Sequence, residues 1–190
     1  LIYVIENVLD KDFCNHLIQK FEDDTRKHDG VIDRKSTVDT SIKKTTDLHI
    51  SRYQEWINED QKLFETLKPN LDNYFSLLNN YNSSLGIPGE DSYNDTGYMI
   101  KRYHPDDYYN WHHDYAIDNG GSRVLTFIWY LNDVIEGGCT EFIDGTKIKP
   151  KCGSLLFFPA TWTYVHKGHP PINQKKYIVT GWLYGNPLSN

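Results

Sequence analysis

The chain has 190 residues, a length typical of one domain with a substantial core, and we expect residues 1–190 to form a single domain. Aromatic residues make up 14% of the sequence, which favours a packed, folded protein although the mean hydropathy is only −0.63. The net charge of −6 and the pI near 5.7 argue against a nucleic-acid-binding protein, whose surface would be basic.

The cysteine and hydropathy patterns give expectations about the compartment. Cys14, Cys139 and Cys152 are odd in number and widely spaced, which indicates neither a disulfide framework nor a thiolate zinc site. No apolar run approaches the roughly 18 residues of a transmembrane helix, and the first residues lack the pattern of a signal peptide. We therefore expect a cytoplasmic protein that interacts with neither nucleic acid nor membranes.

The first part of the chain is predicted to form a strand and two helical stretches. Residues 2–8 alternate as a strand does, and Asp10 is a good N-cap for a helix with apolar residues at helical spacing over 13–21. A second helical period runs from Trp56 to Leu78. Because a proline disrupts a helix interior, we expect Pro69 to kink or divide this second helix.

Two polar segments are predicted to be loops. Residues 29–47 are charged and rich in Ser and Thr without a sustained apolar period, and residues 82–95 are dense in Gly, Pro, Ser and Asp. Any lid over a binding site would come from one of these two segments.

From Tyr98 onward, short β-rich runs alternate with glycine and proline turns. The predicted strands are residues 98–103, 108–114, 124–131, 139–143, 154–158, 164–166 and 177–184. Many short strands separated by turns are typical of a sandwich or barrel. We therefore predict a mainly β fold with the two helices packed outside it.

The pair His112-x-Asp114 is the first candidate for chemistry. Side chains two residues apart on a strand share one face, so His112 and Asp114 would point into the same cavity while His113 points away. An imidazole and a carboxylate on one face are two thirds of a 2-His-1-carboxylate site for non-haem Fe(II). By itself the pair is equally compatible with an ordinary hydrogen bond.

A third ligand and a recessed cation follow later in the chain. His166 directly follows an apolar and aromatic run and is a better candidate ligand than His169. Ten residues further, Lys176 opens a run typical of a core strand, where a lysine requires an anion as its partner. Iron together with a recessed lysine suggests 2-oxoglutarate, which chelates iron at one end and carries a carboxylate at the other.

Taken in order, these features resemble the prolyl 4-hydroxylase-like family of Fe(II)/2-oxoglutarate dioxygenases. The matching features are I-E-N-V-L-D-K-D-F-C-N-H-L-I from Ile5, Tyr103, Tyr109, His112, Asp114, R-V-L-T-F-I-W-Y-L-N-D from Arg123, E-G-G-C-T-E-F from Glu136, K-C-G-S-L-L-F-F from Lys151, His166, Lys176 and Trp182. An isolated H-x-D occurs often by chance, whereas this ordered series is specific. The resemblance implies a double-stranded β-helix, or jelly roll, that holds iron between its sheets.

The resemblance also implies roles for the matching side chains. The iron ligands would be His112, Asp114 and His166. The distal carboxylate of 2-oxoglutarate would be bound by Lys176 and the Tyr103 hydroxyl. The rest of the cosubstrate pocket would be lined by Thr140 and Trp182.

Tyr109 and Arg123 match catalytic-site positions that face the substrate in relatives. The implied reaction is hydroxylation of a proline in a peptide or protein, coupled to decarboxylation of 2-oxoglutarate to succinate and carbon dioxide. It uses Fe(II), 2-oxoglutarate and dioxygen, with ascorbate as a supporting reductant. Asp114 occupies the position that halogenases of this superfamily leave without a carboxylate, which favours hydroxylation over halogenation.

Some residues depart from the family pattern or allow a second interpretation. Tyr177 and Tyr184 stand where many relatives have Trp and His, which makes the substrate less certain than the cosubstrate. Tyr103 and Trp182 could instead be core aromatics. Arg123 could be a strand-edge charge.

Two further functions stay open at this point. A free amino acid or another small molecule could replace the peptide as substrate with the same chemistry. A jelly-roll binding module without turnover is also possible, although the complete series of ligands and the lysine disfavour it.

Overall fold

The computed structural model describes residues 1–33, 36–81, 93–118 and 121–185. The helices are α1 (Lys11–Asp23) and α2 (Ile57–Tyr81), and short 3₁₀ turns occupy Ile50–Arg52 and Gln54–Trp56. The strands are β1 (Tyr3–Ile5), β2 (His28–Asp29), β3 (Thr46–His49), β4 (Tyr93–Asp95), β5 (Met99–Tyr103), β6 (Tyr109–His112), β7 (Ile117–Asp118), β8 (Gly121–Tyr130), β9 (Thr140–Phe142), β10 (Lys147–Ile148), β11 (Leu155–Pro159), β12 (His166–Gly168) and β13 (Lys176–Gly185). Within these ranges no helix is long and apolar enough to cross a membrane.

The described strands pair antiparallel in two sheets. The larger sheet has the order β1-β11-β8-β13-β5-β3-β2, with β4 added at β13 and β7 at β8. The smaller sheet has the order β10-β9-β12-β6. This architecture confirms the predicted mainly β fold class.

The larger sheet serves two hydrophobic cores because successive side chains on a strand point to opposite faces. On β8, Phe127 and Trp129 belong to an outer core that includes residues of both helices. Ile128 and Tyr130 point the other way and pack with Phe142 of the smaller sheet in an inner core. The candidate site lies between the sheets, beside this inner core.

Helix α1 begins as predicted. The Asp10 carboxylate accepts a hydrogen bond from the Phe13 backbone N–H at 2.7 Å, and this N-cap satisfies one of the free N–H groups of the first turn. The buried face of the helix is Phe13, Cys14, Leu17 and Phe21. The Phe21 ring lies 6.2 Å from that of Tyr177, so α1 contacts the outer face of β13.

Helix α2 runs without interruption through Pro69, so the predicted division is wrong, whereas the predicted kink stays a prediction. A proline inside a helix costs about 3 kcal/mol. Apolar residues on both sides of Pro69 offset this cost, because Leu63 and Leu67 before it and Tyr74 after it are buried in the outer core. The Tyr74 ring packs 5.4 Å from Phe157 of β11.

Residues 29–47 are mostly a loop, as predicted, and among the described residues of this segment only Asp29 in β2 and Thr46 and Asp47 in β3 belong to named strands. The segment ends in β3, which pairs with β5 and continues the larger sheet. Asp47 is fully buried there, bonded to Lys43 Nζ at 2.6 Å and to the Thr45 hydroxyl at 2.7 Å. Because a buried residue of this strand, Asp47, is charged and its partner Lys43 precedes the strand, the segment has no apolar period and hydropathy did not reveal β3. Most of the second predicted loop, residues 82–92, lies outside the described residues.

Candidate active site

A cavity of about 890 Å³ lies between the two sheets. Alternate residues of two paired central strands line it, as the pleat of a sheet requires. They are Met99, Lys101 and Tyr103 of β5, and Lys176, Ile178, Thr180 and Trp182 of β13.

The three predicted metal ligands converge on this cavity. His112 ends β6 and is paired directly with His166 of β12, while Asp114 lies two residues beyond the end of β6. The ligand-type atoms of the three residues all lie within 4.8 Å of one another. His113, predicted to point away from them, is exposed at the rim of the cavity.

Backbone carbonyls orient both imidazoles. Nδ1 of His112 lies 2.7 Å from the Asn110 carbonyl oxygen, and Nδ1 of His166 lies 3.0 Å from that of Tyr164. A ring that donates through Nδ1 leaves the lone pair of Nε2 free for a metal. Each Nε2 lies 3.8 Å from a different carboxylate oxygen of Asp114, so the donor atoms surround one point.

The protonation states also suit a metal. Burial lowers the pKa of His112 to about 3, so this imidazole is neutral at physiological pH. Burial alone would raise the pKa of Asp114, but His166, His112 and a 2.8 Å hydrogen bond from the Thr126 hydroxyl hold it well below its usual range. Neutral imidazoles and an ionised carboxylate are the forms that bind metals, and this donor set fits Fe(II).

One end of the cavity, hereafter the Lys176 end, contains a buried cation. Lys176 lies opposite Tyr103 in the pairing of β13 with β5, and its Nζ is 3.9 Å from the Tyr103 ring centroid. Nζ donates to the carbonyl oxygens of Gly138 at 3.0 Å and His169 at 3.4 Å. No carboxylate pairs with it among the described residues, and burial lowers its pKa to about 7.

Gly168 is a residue at this end that the sequence interpretation missed. A β-carbon at Gly168 would lie 3.4 Å from the Tyr103 hydroxyl oxygen and 3.7 Å from Lys176 Nζ. The glycine therefore leaves open the space in front of both donors, where a carboxylate would fit. Its position two residues after His166, on the same strand face, was the signal that could have revealed it.

Thr140 lines the same end of the cavity. It lies directly opposite Gly168 in the pairing of β9 with β12, and it is buried. Its hydroxyl forms a 2.7 Å hydrogen bond with the Tyr130 hydroxyl, so the two side chains hold each other in place.

The other end of the cavity, hereafter the Arg123 end, brings together both predicted substrate-facing residues. Tyr109 stacks on His112 with ring centroids 3.4 Å apart. Arg123 Nη1 donates to the Asp114 backbone carbonyl at 3.3 Å, and its guanidinium lies 3.8 Å above the Trp182 ring. Trp182 is six residues beyond Lys176, about 20 Å along the strand, and so belongs to this end.

Three buried charged residues that the sequence interpretation missed also line the cavity: Lys43, Asp47 and Lys101. Lys101 Nζ lies 5.7 Å from the Trp182 ring centroid and 6.0 Å from that of Tyr109. Its position two residues before Tyr103, on the same strand face, could have placed it in the cavity.

Comparison with known proteins gives a consistent result. The model of the 2OG-Fe(II) oxygenase superfamily matches residues 98–184, which include every predicted site residue. A protein of Acanthamoeba polyphaga mimivirus, provisionally named a prolyl 4-hydroxylase, is 29% identical over 165 residues. That match covers 76% of this chain and 63% of the relative, so the chain spans less than two thirds of the relative's length.

Solved structures share the fold along nearly the whole chain. A viral collagen prolyl hydroxylase of Paramecium Bursaria Chlorella virus-1, in complex with 2OG, has a TM-score of 0.66 and 21% identity, covering 97% of this chain and 96% of that one. A prolyl hydroxylase in complex with a hypoxia inducible factor peptide fragment, from Trichoplax adhaerens, has a TM-score of 0.71 and 21% identity, covering 97% and 83%. These likenesses agree with the predicted jelly-roll core.

Proposed function

The chain belongs to the 2OG-Fe(II) oxygenase superfamily, and from this membership and the geometry of its cavity we propose that it is an Fe(II)/2-oxoglutarate-dependent hydroxylase of peptidyl proline. One observation carries the proposal: two Nε2 atoms and a carboxylate converge within 4.8 Å in a cavity that also holds a buried lysine without a carboxylate partner among the described residues. The first set fits iron, and the lysine fits the distal carboxylate of the cosubstrate.

The residues of the site divide the work between binding and orientation. His112, Asp114 and His166 would hold Fe(II), with the Thr126 hydroxyl and the two backbone carbonyls fixing their directions. When bound, Fe(II) and 2-oxoglutarate supply the oxidising chemistry with dioxygen, and ascorbate would support it as a reductant.

The Lys176 end would bind the cosubstrate. Lys176 and the Tyr103 hydroxyl would donate to the distal carboxylate in the space that Gly168 leaves open. Thr140 would form the wall of this end, held by its hydrogen bond to Tyr130. Because the donors are buried, the charged hydrogen bonds would form with little competition from water.

The Arg123 end would bind the substrate beside the metal. Tyr109 offers an aromatic side chain stacked on a ligand, and Arg123 offers donors for backbone carbonyls or charged groups. Proline-rich peptides are already extended and lose little entropy in an aromatic groove. The prolyl hydroxylases among the relatives, one of them in complex with a peptide fragment, support a proline-containing peptide or protein as the substrate.

We also propose that residues 1–190 act as one catalytic domain. In this arrangement α1 and α2 support the outer face of the larger sheet, whose inner face carries Lys176, Tyr103 and Lys101. The helices would then stabilise the strand register on which the cavity depends.

The test is turnover with iron, 2-oxoglutarate and ascorbate over a panel of proline-containing peptides and free metabolites. We expect succinate release coupled to the gain of one oxygen atom on a peptidyl proline, measured by mass spectrometry. Tyr109→Ala should lose the peptide product and retain uncoupled succinate release. Turnover of a free amino acid with no peptide modified would identify a small-molecule hydroxylase, and binding without any turnover would identify a binding module.

A further inference from the structure

Lys101 is a buried cation of the Arg123 end that the proposed reaction does not use. Its side chain is 6% exposed and borders the cavity between the rings of Tyr109 and Trp182. Across the part of the chain that the structure describes, Lys101 Nζ has no hydrogen bond and no ion pair. A buried ammonium without an anion is unfavourable, so a ligand from outside the chain is the natural partner.

The nearest carboxylate on the same sheet is already occupied. Asp47 lies directly opposite Lys101 in the pairing of β3 with β5. One of its oxygens, however, accepts from Lys43 Nζ at 2.6 Å and the other from the Thr45 hydroxyl at 2.7 Å. Both oxygens of Asp47 are thus bonded to other groups, so Asp47, like Asp114, acts on Lys101 through its charge and not through a hydrogen bond.

A second cation of the same end also lacks a carboxylate. Arg123 donates to the Tyr184 hydroxyl at 3.0 Å and to the Asp114 backbone carbonyl at 3.3 Å, which are both neutral acceptors. No carboxylate pairs with Arg123 among the described residues. Both cations are close to the Trp182 ring, whose centroid is 3.8 Å from the guanidinium and 5.7 Å from Lys101 Nζ.

We propose that Lys101 and Arg123, which line the same cavity beside Trp182, form a subsite for a carboxylate of the substrate. This inference rests on the proposed function and adds to it that the hydroxylated molecule is acidic close to the oxidised carbon. Burial lowers the pKa of Lys101 to about 8, so the ammonium form is available to an anion at physiological pH.

The carboxylate is placed on the substrate because Lys176 already serves the other end of the cavity. Lys101 precedes Tyr103 by two residues, about 7 Å along β5. Its ring neighbours are Tyr109 and Trp182, whereas the ring neighbour of Lys176 is Tyr103. The two lysines thus belong to different aromatic surroundings within one cavity.

The experiment compares acids with their amides in two arms. In the peptide arm, proline peptides carry glutamate or glutamine next to the proline. In the small-molecule arm, free L-proline is compared with L-prolinamide. Binding is measured calorimetrically without oxygen in the presence of Fe(II) and 2-oxoglutarate, and succinate release is measured in parallel. Tighter binding of the acid than of the amide in the peptide arm would show that the subsite binds a side-chain carboxylate. The same preference in the small-molecule arm would show that it binds an α-carboxylate.

Three variants make the assignment specific. In Lys101→Met, the acid should bind about 10- to 100-fold more weakly and no longer bind better than the amide. The dissociation constant for 2-oxoglutarate should be unchanged. In Lys101→Glu, peptides with lysine next to the proline should become preferred. Lys151→Met, which removes an exposed lysine paired with Glu6, should behave like the unaltered protein.

The outcomes separate this inference from the proposed function. Equal binding of acid and amide in both arms would overturn the subsite even if turnover occurs. If Lys101→Met raised only the dissociation constant for 2-oxoglutarate, the subsite would also be overturned, because Lys101 would then bind the cosubstrate. Acid-selective binding that depends on Lys101, without succinate release from any substrate, would support the subsite and contradict the hydroxylase.

Discussion

The two ends of the cavity each present a buried lysine on the inner face of the larger sheet, but the lysines differ in their surroundings. Lys176 donates to two backbone carbonyls and faces the space beside Gly168, so its position is defined before any ligand arrives. Lys101 has aromatic neighbours and no acceptor within the described ranges. In the proposed function, the Lys176 end would hold 2-oxoglutarate with donors already in place, and the Arg123 end would gain its anionic partner from the substrate.

This difference is what a shared cosubstrate and a particular substrate would require. A site for one small dicarboxylate can be built with fixed donors, since its ligand never changes. A substrate site can instead contain a charge that only the substrate neutralises. The sign of that charge then indicates which chemical class of substrate binds. The predicted metal ligands adjoin both ends, since His112 stacks on Tyr109 of the Arg123 end and His166 lies two residues before Gly168 of the Lys176 end.

The largest expected effect is the loss of the metal. His166→Ala should reduce turnover and Fe(II) affinity by more than about a hundredfold, because removing a ligand exceeds the effect of removing the groups that orient it. Metal content and succinate release measure both consequences. Thr126→Val, which removes only the hydrogen bond to Asp114, should weaken the metal less. Full iron occupancy in His166→Ala would contradict the ligand assignment.

The next effect is specific to the Lys176 end. Lys176→Met should raise the dissociation constant for 2-oxoglutarate by more than about a hundredfold, because breaking a buried charge pair costs about 3–5 kcal/mol. The Fe(II) constant should stay near that of the unaltered protein. Lys175→Met is the matched control, since the neighbouring lysine pairs with Glu22 instead. An unchanged cosubstrate constant would reduce Lys176 to a structural residue.

The stability of the ligand-free protein should depend on both lysines. Burial lowers the pKa of Lys176 to about 7 and that of Lys101 to about 8, whereas an unfolded lysine keeps a pKa near 10.4. Between pH 7 and pH 9 the unfolded chain binds more protons than the folded one. Stability should therefore rise with pH, on the order of 1–2 kcal/mol for each lysine.

Denaturant unfolding of the metal-free protein at pH 7 and pH 9 measures this dependence. Lys101→Met and Lys176→Met should each reduce the rise, and each should be more stable than the unaltered protein at pH 7, since a buried charge is removed. If the free energy of unfolding rose equally with pH in all three proteins, burial would not lower the pKa of either lysine.

The smallest expected effect comes from one methyl group. Gly168→Ala would place a β-carbon 3.4 Å from the Tyr103 hydroxyl oxygen, in the space assigned to the distal carboxylate. The 2-oxoglutarate constant should rise about fivefold, the equivalent of about 1 kcal/mol. Acid selectivity at the Arg123 end should be unchanged. Weakening at both ends would indicate a general distortion of the cavity.

The mainly β fold class could be predicted from the sequence and is confirmed by the two antiparallel sheets. The predicted family agrees with the superfamily model that matches residues 98–184. His112 and Asp114 stand out in the sequence as a pair with strand spacing, His166 because it follows an apolar and aromatic run, and Lys176 because it opens a run typical of a core strand. The assigned roles stay predictions, as do the cytoplasmic location and the absence of nucleic-acid and membrane partners.

Two features could not be predicted because they depend on contacts distant in sequence. Pro69 lies inside a continuous helix because Tyr74 and Leu67 are buried against the sheet. Asp47 is buried because β3 pairs with β5 and Lys43 neutralises its charge. Hydropathy and local propensity describe neither contact, since both measure a residue against its neighbours in the chain.

By itself the sequence determined the kinds of residue available for chemistry and their order, because ligand type and strand alternation are local properties. Only the tertiary structure decided which charges remain uncompensated. Lys43 and Lys101 both border the cavity, and Asp47 lies directly opposite Lys101 in the strand pairing, yet its carboxylate bonds to Lys43 Nζ and not to Lys101. The energy of a buried charge depends on what lies within a few ångströms of it, and that distance is set by folding.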